Sequence, residues 1–159
     1  MLGRWPGTEV FHNLSENPDS ETYPGLLIIR FDGPLNFATT NALRHKVRAV
    51  TTDVAPPVTE VLIDMEGVDY LDLEGSDMLG EITKDMRGVG VEIHLARVEH
   101  AVRELLEKDG VDQIIGRDHI HDKVVVPSKC LATRRSLLRR MISPINNGCF
   151  DNRLEVMDV

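Results

Sequence analysis

Short apolar runs in this chain alternate with longer stretches in which apolar residues recur at helical spacing. The runs predict strands because they are brief, bounded by Gly or Pro and rich in β-branched residues; they cover 25–31, 61–63 and 91–96, with an edge strand at 9–11. Spacings of three and four residues predict helices over 38–52, from about 72 to 86, and over 99–108. The order β-β-α-β-α-β-α predicts an α/β fold with helices packed on a mostly parallel sheet.

Turn-forming and capping residues mark the ends of these elements. Asp32-Gly33-Pro34 should end the first long strand, because Pro cannot donate to a strand ladder. Thr39, Thr40 or Asn41 would cap the first helix. The Asp-Gly pair at 109–110 supplies a stop for the last of the three helices.

The central run at 61–63 leads directly into a loop crowded with carboxylates. Its acidic residues are Asp64, Glu66, Asp69, Asp72, Glu74 and Asp77. Asp72 and Glu74 fall near a helix N-terminus, where they would accept backbone N–H groups and meet the positive end of the helix dipole. Loops at the carboxyl ends of strands in open α/β sheets commonly bind ligands or partners, so this loop is the first candidate for a functional surface.

Composition excludes several classes of protein. The 159 residues carry a net charge of −8, which argues against nucleic-acid binding because that needs a basic face. The two cysteines, Cys130 and Cys149, lack CxxC spacing and imply neither a disulfide framework nor a zinc site. No apolar run approaches the roughly 20 residues of a membrane span, and Arg4-Trp5-Pro6-Gly7 interrupts any hydrophobic region of a signal peptide. These features predict a soluble chain from a reducing compartment.

The end of the chain differs in charge from the rest. Residues 127–142 contain five cations and no acid: Lys129, Arg134, Arg135, Arg139 and Arg140. We therefore predict a domain over 1–126 and a tail over 127–159, with a basic helix at 131–142 and a poorly ordered end. The helix would dock on the acidic face, lie against anionic lipid headgroups, or remain solvated without a fixed partner.

Signatures of catalysis and of metal or cofactor binding are weak. The sequence contains no GxxxxGK[ST], HExxH or GxSxG, and Gly88-Val89-Gly90 precedes a strand where a dinucleotide fingerprint would follow one. We interpret 118–122 (Asp-His-Ile-His-Asp) as a solvated loop and His94 as an ordinary strand residue. The acidic loop lacks the DxDxDG spacing of a calcium site. We therefore predict no enzyme, no metal and no cofactor.

Three segments carry a resemblance to a known family. Asp72-Leu73-Glu74-Gly75, after a strand, resembles the Asp-Ser-Ser/Thr-Gly loop of STAS domains, which occur in anti-sigma-factor antagonists and in SulP-type anion transporters. LGRWPGT at 2–8 and PGLLIIRFDGPLNFA at 24–38 are similar to signatures of the transporter branch. The resemblance implies a mixed, mostly parallel sheet flanked by helices and a regulatory, non-catalytic role at the cytoplasmic face of the cell membrane.

The loop departs from the family pattern where antagonists carry a phosphorylatable Ser. Leu73 and Glu74 occupy the two hydroxyl positions, and Ser76 lies beyond them, so switching by a serine kinase is not expected here. Glu74 provides one fixed negative charge where phosphoserine carries nearly two, or else simply caps the helix, which is the interpretation we favour. We assign Asp72, Leu73, Glu74, Gly75 and Ser76 as the regulatory loop.

The resemblance leaves two classes of function open. The first is a regulatory domain whose partner is the transmembrane domain of a sulfate or anion transporter, and the second is a stand-alone antagonist-like protein that binds a signalling partner at the acidic loop. Weak purine-nucleotide binding is also implied by the resemblance, with Arg30 and Arg97 as the candidate phosphate contacts, although the carboxylates nearby would repel phosphates.

Overall fold

A four-stranded parallel sheet forms the centre of the computed structural model, which describes residues 1–51, 57–127 and 130. The described elements, in chain order, are β1 (Leu2–Arg4), β2 (Phe11–Asn13), β3 (Leu26–Asp32), α1 (Phe37–Thr51), β4 (Glu60–Gly67), α2 (Leu73–Gly88), β5 (Glu92–Ala96), α3 (His100–Lys108), α4 (Val111–Ile115) and β6 (Ile120–His121). A single 3-10 turn, Arg117–His119, precedes β6.

The sheet has the strand order β3-β4-β5-β6, and every neighbouring pair is parallel. Helices connect its strands, as parallel pairing requires. Strands β1 and β2 form a separate antiparallel pair. The predicted α/β class with a mostly parallel sheet is therefore confirmed, and β4 is an inner strand of that sheet.

Alternation along the strands gives the sheet two different faces. Odd-numbered residues such as Ile29, Ile63 and Leu95 pack with buried residues of all four helices in the main core. Even-numbered residues Ile28 and Leu62 belong to a second, smaller cluster, which includes Leu2 and is packed by Phe11, Val124 and Val125. In the described part of the chain, helices thus cover one face and the β1–β2 pair covers part of the other.

Several boundaries differ from the sequence predictions. The edge strand begins at Phe11 rather than at residue 9, and α1 begins at Phe37, so its cap is not Thr39, Thr40 or Asn41. Instead, the side chain of Asn36 accepts hydrogen bonds from the backbone N–H groups of Ala38 (3.0 Å) and Thr39 (3.2 Å).

Three short elements were not predicted, namely β1, α4 and β6. The segment 118–122 is not a plain solvated loop, because it contains the end of the 3-10 turn and the strand β6. The predicted basic helix at 131–142 lies outside the described residues, and the proposed boundary at 126 remains a prediction. Within the described ranges, no helix has the length and apolar character needed to cross a membrane.

Candidate functional site

The acidic loop is shorter than predicted, because Asp64 and Glu66 belong to β4; residues 68–72 join that strand to α2, and Asp72 caps the helix. Asp72 has an extended backbone, and its Oδ1 accepts a hydrogen bond from the backbone N–H of Gly75 at 2.6 Å. A carboxylate in this position satisfies an N–H that the helix cannot pair and faces the positive end of the dipole. The prediction that Asp72 stabilises the start of the helix is confirmed.

Leu35 holds the loop against the segment that precedes α1. The backbone N–H of Leu35 donates to the carbonyl of Tyr70 at 2.9 Å, and its carbonyl accepts from the N–H of Asp72 at 3.2 Å. Leu35 is fully buried, and Leu71 opposite it is 7% exposed. Residues 35–37 and 70–73 are therefore fixed side by side at the carboxyl-terminal edge of the sheet.

Gly75 is required by this close approach. A Cβ built on Gly75 would lie 2.5 Å from the carbonyl oxygen of Leu35, and 3.0 Å from Oδ1 of Asp72. Any larger residue would force the loop away from Leu35. The glycine of the motif thus allows α2 to begin in contact with the neighbouring segment.

The remaining loop residues differ in exposure. Leu73 is 58% exposed and Glu74 is exposed, whereas Ser76 is fully buried and its hydroxyl has no hydrogen bond partner among the described residues. Glu74 is not the cap, contrary to the interpretation favoured from sequence, because it already lies within the first turn of the helix and Asp72 occupies the capping position. A kinase could not reach the hydroxyl of Ser76 without opening this part of the structure.

The ends of β3, β4 and β5 carry a network of charged side chains. Asp64 is fully buried, and its Oδ1 accepts from Nε of Arg97 at 2.9 Å; Nη2 of Arg97 contacts Oδ2. Arg30 lies 3.6 Å from Asp64 and contacts Glu66, which Arg97 approaches to 2.8 Å. Asp64 therefore does not belong to the surface that the acidic loop exposes.

Arg97 has an unusual backbone as well as a central place in this network. Its φ is +55°, and it is the one non-glycine residue with positive φ in the described part of the chain. Such a conformation is uncommon for a residue with a side chain and persists where surrounding contacts fix it. Here the N–H of Arg97 donates to the carbonyl of His121 at 3.0 Å, while its guanidinium binds Asp64.

Arg30 and Arg97 are brought together, as a phosphate site would need, but both already bind carboxylates. They line an open groove of about 290 Å³ with Lys123, which lies 3.3 Å from Glu9. The three cations are matched by four acids: Glu9, Asp32, Asp64 and Glu66. A phosphate group would have to displace carboxylates from both guanidinium groups, which disfavours a nucleotide at this position.

A second polar cluster, centred on His94, was missed by the sequence analysis. His94 is 6% exposed; its Nε2 lies 2.7 Å from Oε2 of buried Glu60, and its Nδ1 lies 3.1 Å from Nε2 of His121. The ring of His119 lies against that of His94 at a tilt of 32°, with centroids 4.1 Å apart. His94 is thus more than an ordinary strand residue. The alternation of His119 and His121 was visible in sequence, but their contact with His94 depends on the pairing of β6 with β5.

Burial controls the protonation of two histidines in this cluster, His94 and His121. Burial lowers the pKa of His94, because it disfavours the imidazolium, and the hydrogen bond to Glu60 opposes this effect in part. The pKa of His121 is also lowered, first by burial and then by repulsion from His94 and His119. Among the described residues, no three His, Cys, Asp or Glu side chains are arranged to hold a metal ion. The imidazole rings of His94 and His121 are therefore uncharged at neutral pH, and their hydrogen bonds link β5 to β4 and β6.

Comparison with known proteins connects this fold and loop to one family. The model of the STAS domain matches residues 17–125. A probable sulfate transporter of Arabidopsis thaliana is 27% identical over 139 residues, which cover 79% of this chain and 20% of the relative. A probable sulfate transporter of Mycobacterium tuberculosis is 29% identical over 135 residues, covering 85% of this chain and 24% of the relative.

The fold comparison agrees with the family match. The structure of the murine anion transporter Solute Carrier 26 family member A9 superimposes with a TM-score of 0.71 and 23% identity, covering 85% of this chain and 22% of that one. The chain spans about a fifth to a quarter of the length of these relatives. The resemblance found in the sequence is therefore confirmed, and the chain belongs to the STAS domain family.

Proposed function

We propose that this chain is the cytoplasmic regulatory domain of a SulP-type sulfate or anion transporter and that it acts without catalysis by contacting the transmembrane domain of the same protein. The observation that carries the proposal is the match of residues 17–125 to the STAS model, with sulfate transporters as relatives that extend far beyond the matched region. The edge formed by the acidic loop is the proposed contact surface.

The structure of the loop favours this function over a stand-alone antagonist switched by phosphorylation. The family positions for a phosphorylated hydroxyl hold Leu73 and Glu74, and the next hydroxyl, Ser76, is buried. A stable surface that contacts a membrane domain needs no phosphate transfer, whereas the antagonist function normally does.

The first experiment is to read the gene upstream of this segment. An in-frame region encoding several hundred apolar-rich residues supports the transporter, and its absence refutes it. The full reading frame is then expressed in cells that lack sulfate uptake, with and without residues 1–126. Uptake that requires this domain, although the membrane part inserts equally well in both cases, supports a regulatory role; equal uptake contradicts it.

The basic tail is proposed as a contact with anionic lipid headgroups beside the transporter. Each Lys or Arg near such a surface contributes about 1 kcal/mol, so five cations suffice to hold the segment. Binding to vesicles should rise with phosphatidylserine content, fall with salt, and disappear when Arg134, Arg135, Arg139 and Arg140 are all replaced by Gln. Equal binding of both proteins, insensitive to salt, would refute the contact.

A further inference from the structure

Three large apolar side chains are exposed at the acidic loop, on segments that backbone hydrogen bonds hold side by side. Phe37 is 62% exposed, Tyr70 is 56% exposed and Leu73 is 58% exposed. We refer to these three residues as the apolar edge. Aromatic and aliphatic side chains grouped in this way on a surface mark sites of interaction more often than scattered single residues do.

The backbone fixes the members of the apolar edge relative to one another. Phe37 is the first residue of α1, and Leu73 is the first residue of α2. The hydrogen bonds of Leu35 with Tyr70 and Asp72 join the two helix starts, and Gly75 leaves no space between them. A partner would therefore meet a prearranged surface and would lose little conformational entropy in ordering it.

The surroundings of the apolar edge are acidic. Asp69, Glu74 and Asp77 are exposed in the same loop and first helical turns, and Asp32 is exposed at the end of β3. The arginines at the carboxyl ends of β3 and β5, Arg30 and Arg97, are paired with Asp64 and Glu66. An apolar centre with a negatively charged rim is complementary to a partner that has an apolar side flanked by positive charges.

We propose that the apolar edge binds an amphipathic cationic segment at the cytoplasmic side of the transmembrane domain. This inference rests on the proposed function, because it takes the membrane domain as the partner. Cytoplasmic segments of membrane proteins carry an excess of Lys and Arg, so their charge complements the acidic rim. The apolar edge forms the buried centre of the contact. The carboxylates of Asp69, Glu74 and Asp77 orient the cationic segment and increase its rate of association.

The test uses the full 159-residue chain and two fluorescent peptides. One peptide places Leu at helical positions i, i+3, i+4 and i+7 with Lys elsewhere, and the other has Glu in place of every Lys. Binding is measured by fluorescence anisotropy over a range of salt concentrations. The Lys peptide should bind with an affinity that decreases as salt rises, and the Glu peptide should not bind.

Two variants test whether the apolar edge itself, and not only the acidic charge of the domain, contributes to peptide binding. Replacing Phe37, Tyr70 and Leu73 together by Ser should weaken binding of the Lys peptide by at least about tenfold, because these side chains form the centre of the contact. Val89→Ser removes a more exposed apolar side chain, just beyond the other end of α2, and should change affinity by less than about twofold.

A second pair of variants tests the acidic rim. Asp69→Asn, Glu74→Gln and Asp77→Asn combined should weaken binding and reduce its salt dependence. Three exposed acids at α3 provide a control with the same change of charge: Glu99, Glu104 and Glu107, all replaced by Gln. Equal effects of the two triple variants would show that only overall charge attracts the peptide and would overturn the proposal.

Mapping of the peptide-binding surface on the wild-type chain tests the site even if a variant fails to fold. Amide shifts of the wild-type chain on adding the Lys peptide should centre on 35–37 and 69–77; shifts centred elsewhere refute the site. Self-association of the chain that is lost in the Ser variant, without peptide binding, would assign the apolar edge to a second copy instead. If the upstream gene encodes no membrane domain, the proposed function fails even where the peptide binds, so the two failures are distinguishable.

Discussion

Gly75→Ala should destabilise the domain, although alanine is the better helix former. The added Cβ would lie 2.5 Å from the carbonyl oxygen of Leu35, roughly 1 Å inside an ordinary van der Waals contact. Side-chain rotation cannot relieve the clash, because both groups are fixed to the backbone. The segment at Leu35 must move away from α2, and this movement would lengthen the hydrogen bond between the N–H of Asp72 and the carbonyl of Leu35.

The opposing contributions give the size of the effect. Overpacking in a rigid environment costs about 1–3 kcal/mol, and weakening one hydrogen bond costs about 1 kcal/mol more. Alanine returns at most about 1 kcal/mol through its helix propensity. We therefore expect the free energy of unfolding to fall by about 1–3 kcal/mol. With a urea slope of about 1–3 kcal/mol per molar, the unfolding midpoint should fall by roughly 1 M.

Urea unfolding followed by circular dichroism measures this change, and Gly88→Ala is the matched control. Gly88 ends the same helix, and a Cβ added there meets nothing within 4 Å. That variant should be as stable as wild type or more stable by up to about 1 kcal/mol. If Gly75→Ala and Gly88→Ala unfold at the same urea concentration, the close approach to Leu35 does not explain the glycine.

Three other predictions concern single contacts. Asp72→Ala should lower the free energy of unfolding by about 1 kcal/mol through loss of the cap, whereas Asp72→Asn should retain most of the wild-type stability. Equal urea midpoints for the two variants would contradict the capping role. Arg97→Ala removes the main partner of the buried carboxylate of Asp64 and should lower the free energy of unfolding by about 3 kcal/mol. Lys84→Ala, in an exposed ion pair, should lower it by less than about 1 kcal/mol, and similar losses in the two variants would refute this account. The pKa values of His94 and His121 are lowered in the folded state, so their contribution to stability is complete above pH 6.5 and is lost as pH falls through the folded pKa values. His121→Gln should therefore make the free energy of unfolding, measured at steps from pH 8 to pH 5, less dependent on pH, and an unchanged slope would disprove the assignment.

The main elements of the fold could be predicted because each has a local signal. The runs at β3, β4 and β5 are apolar and bounded by Gly or Pro, and α2 has a cap and a regular apolar spacing. Strand β6 has only two residues, Ile120 and His121, within a charged segment. Such a short strand is defined by pairing with its neighbour and has no periodicity of its own.

The site could be located from sequence but its chemistry could not. The position of the acidic loop after a buried strand indicated the correct edge, and Asp72 was recognised as a residue for the start of a helix. The burial of Asp64 depends on Arg97, which is distant in sequence, so the two could not be paired in advance. The exposure of Phe37 and Leu73 depends on how α1 and α2 are rotated on the sheet, which apolar spacing alone does not determine.

The parallel sheet also has a consequence for how quickly the domain forms. Leu26 pairs with Glu60, Glu60 with Glu92, and Leu95 with Ile120, so each pairing closes a loop long enough to hold a helix. No strand of this sheet can pair through a local hairpin, and the entropy of closing these loops must be lost before the pairing contacts form. During synthesis on a ribosome, the apolar residues of β3 therefore stay exposed until β4 has been synthesised. Aggregation of the new chain competes with its folding during this interval.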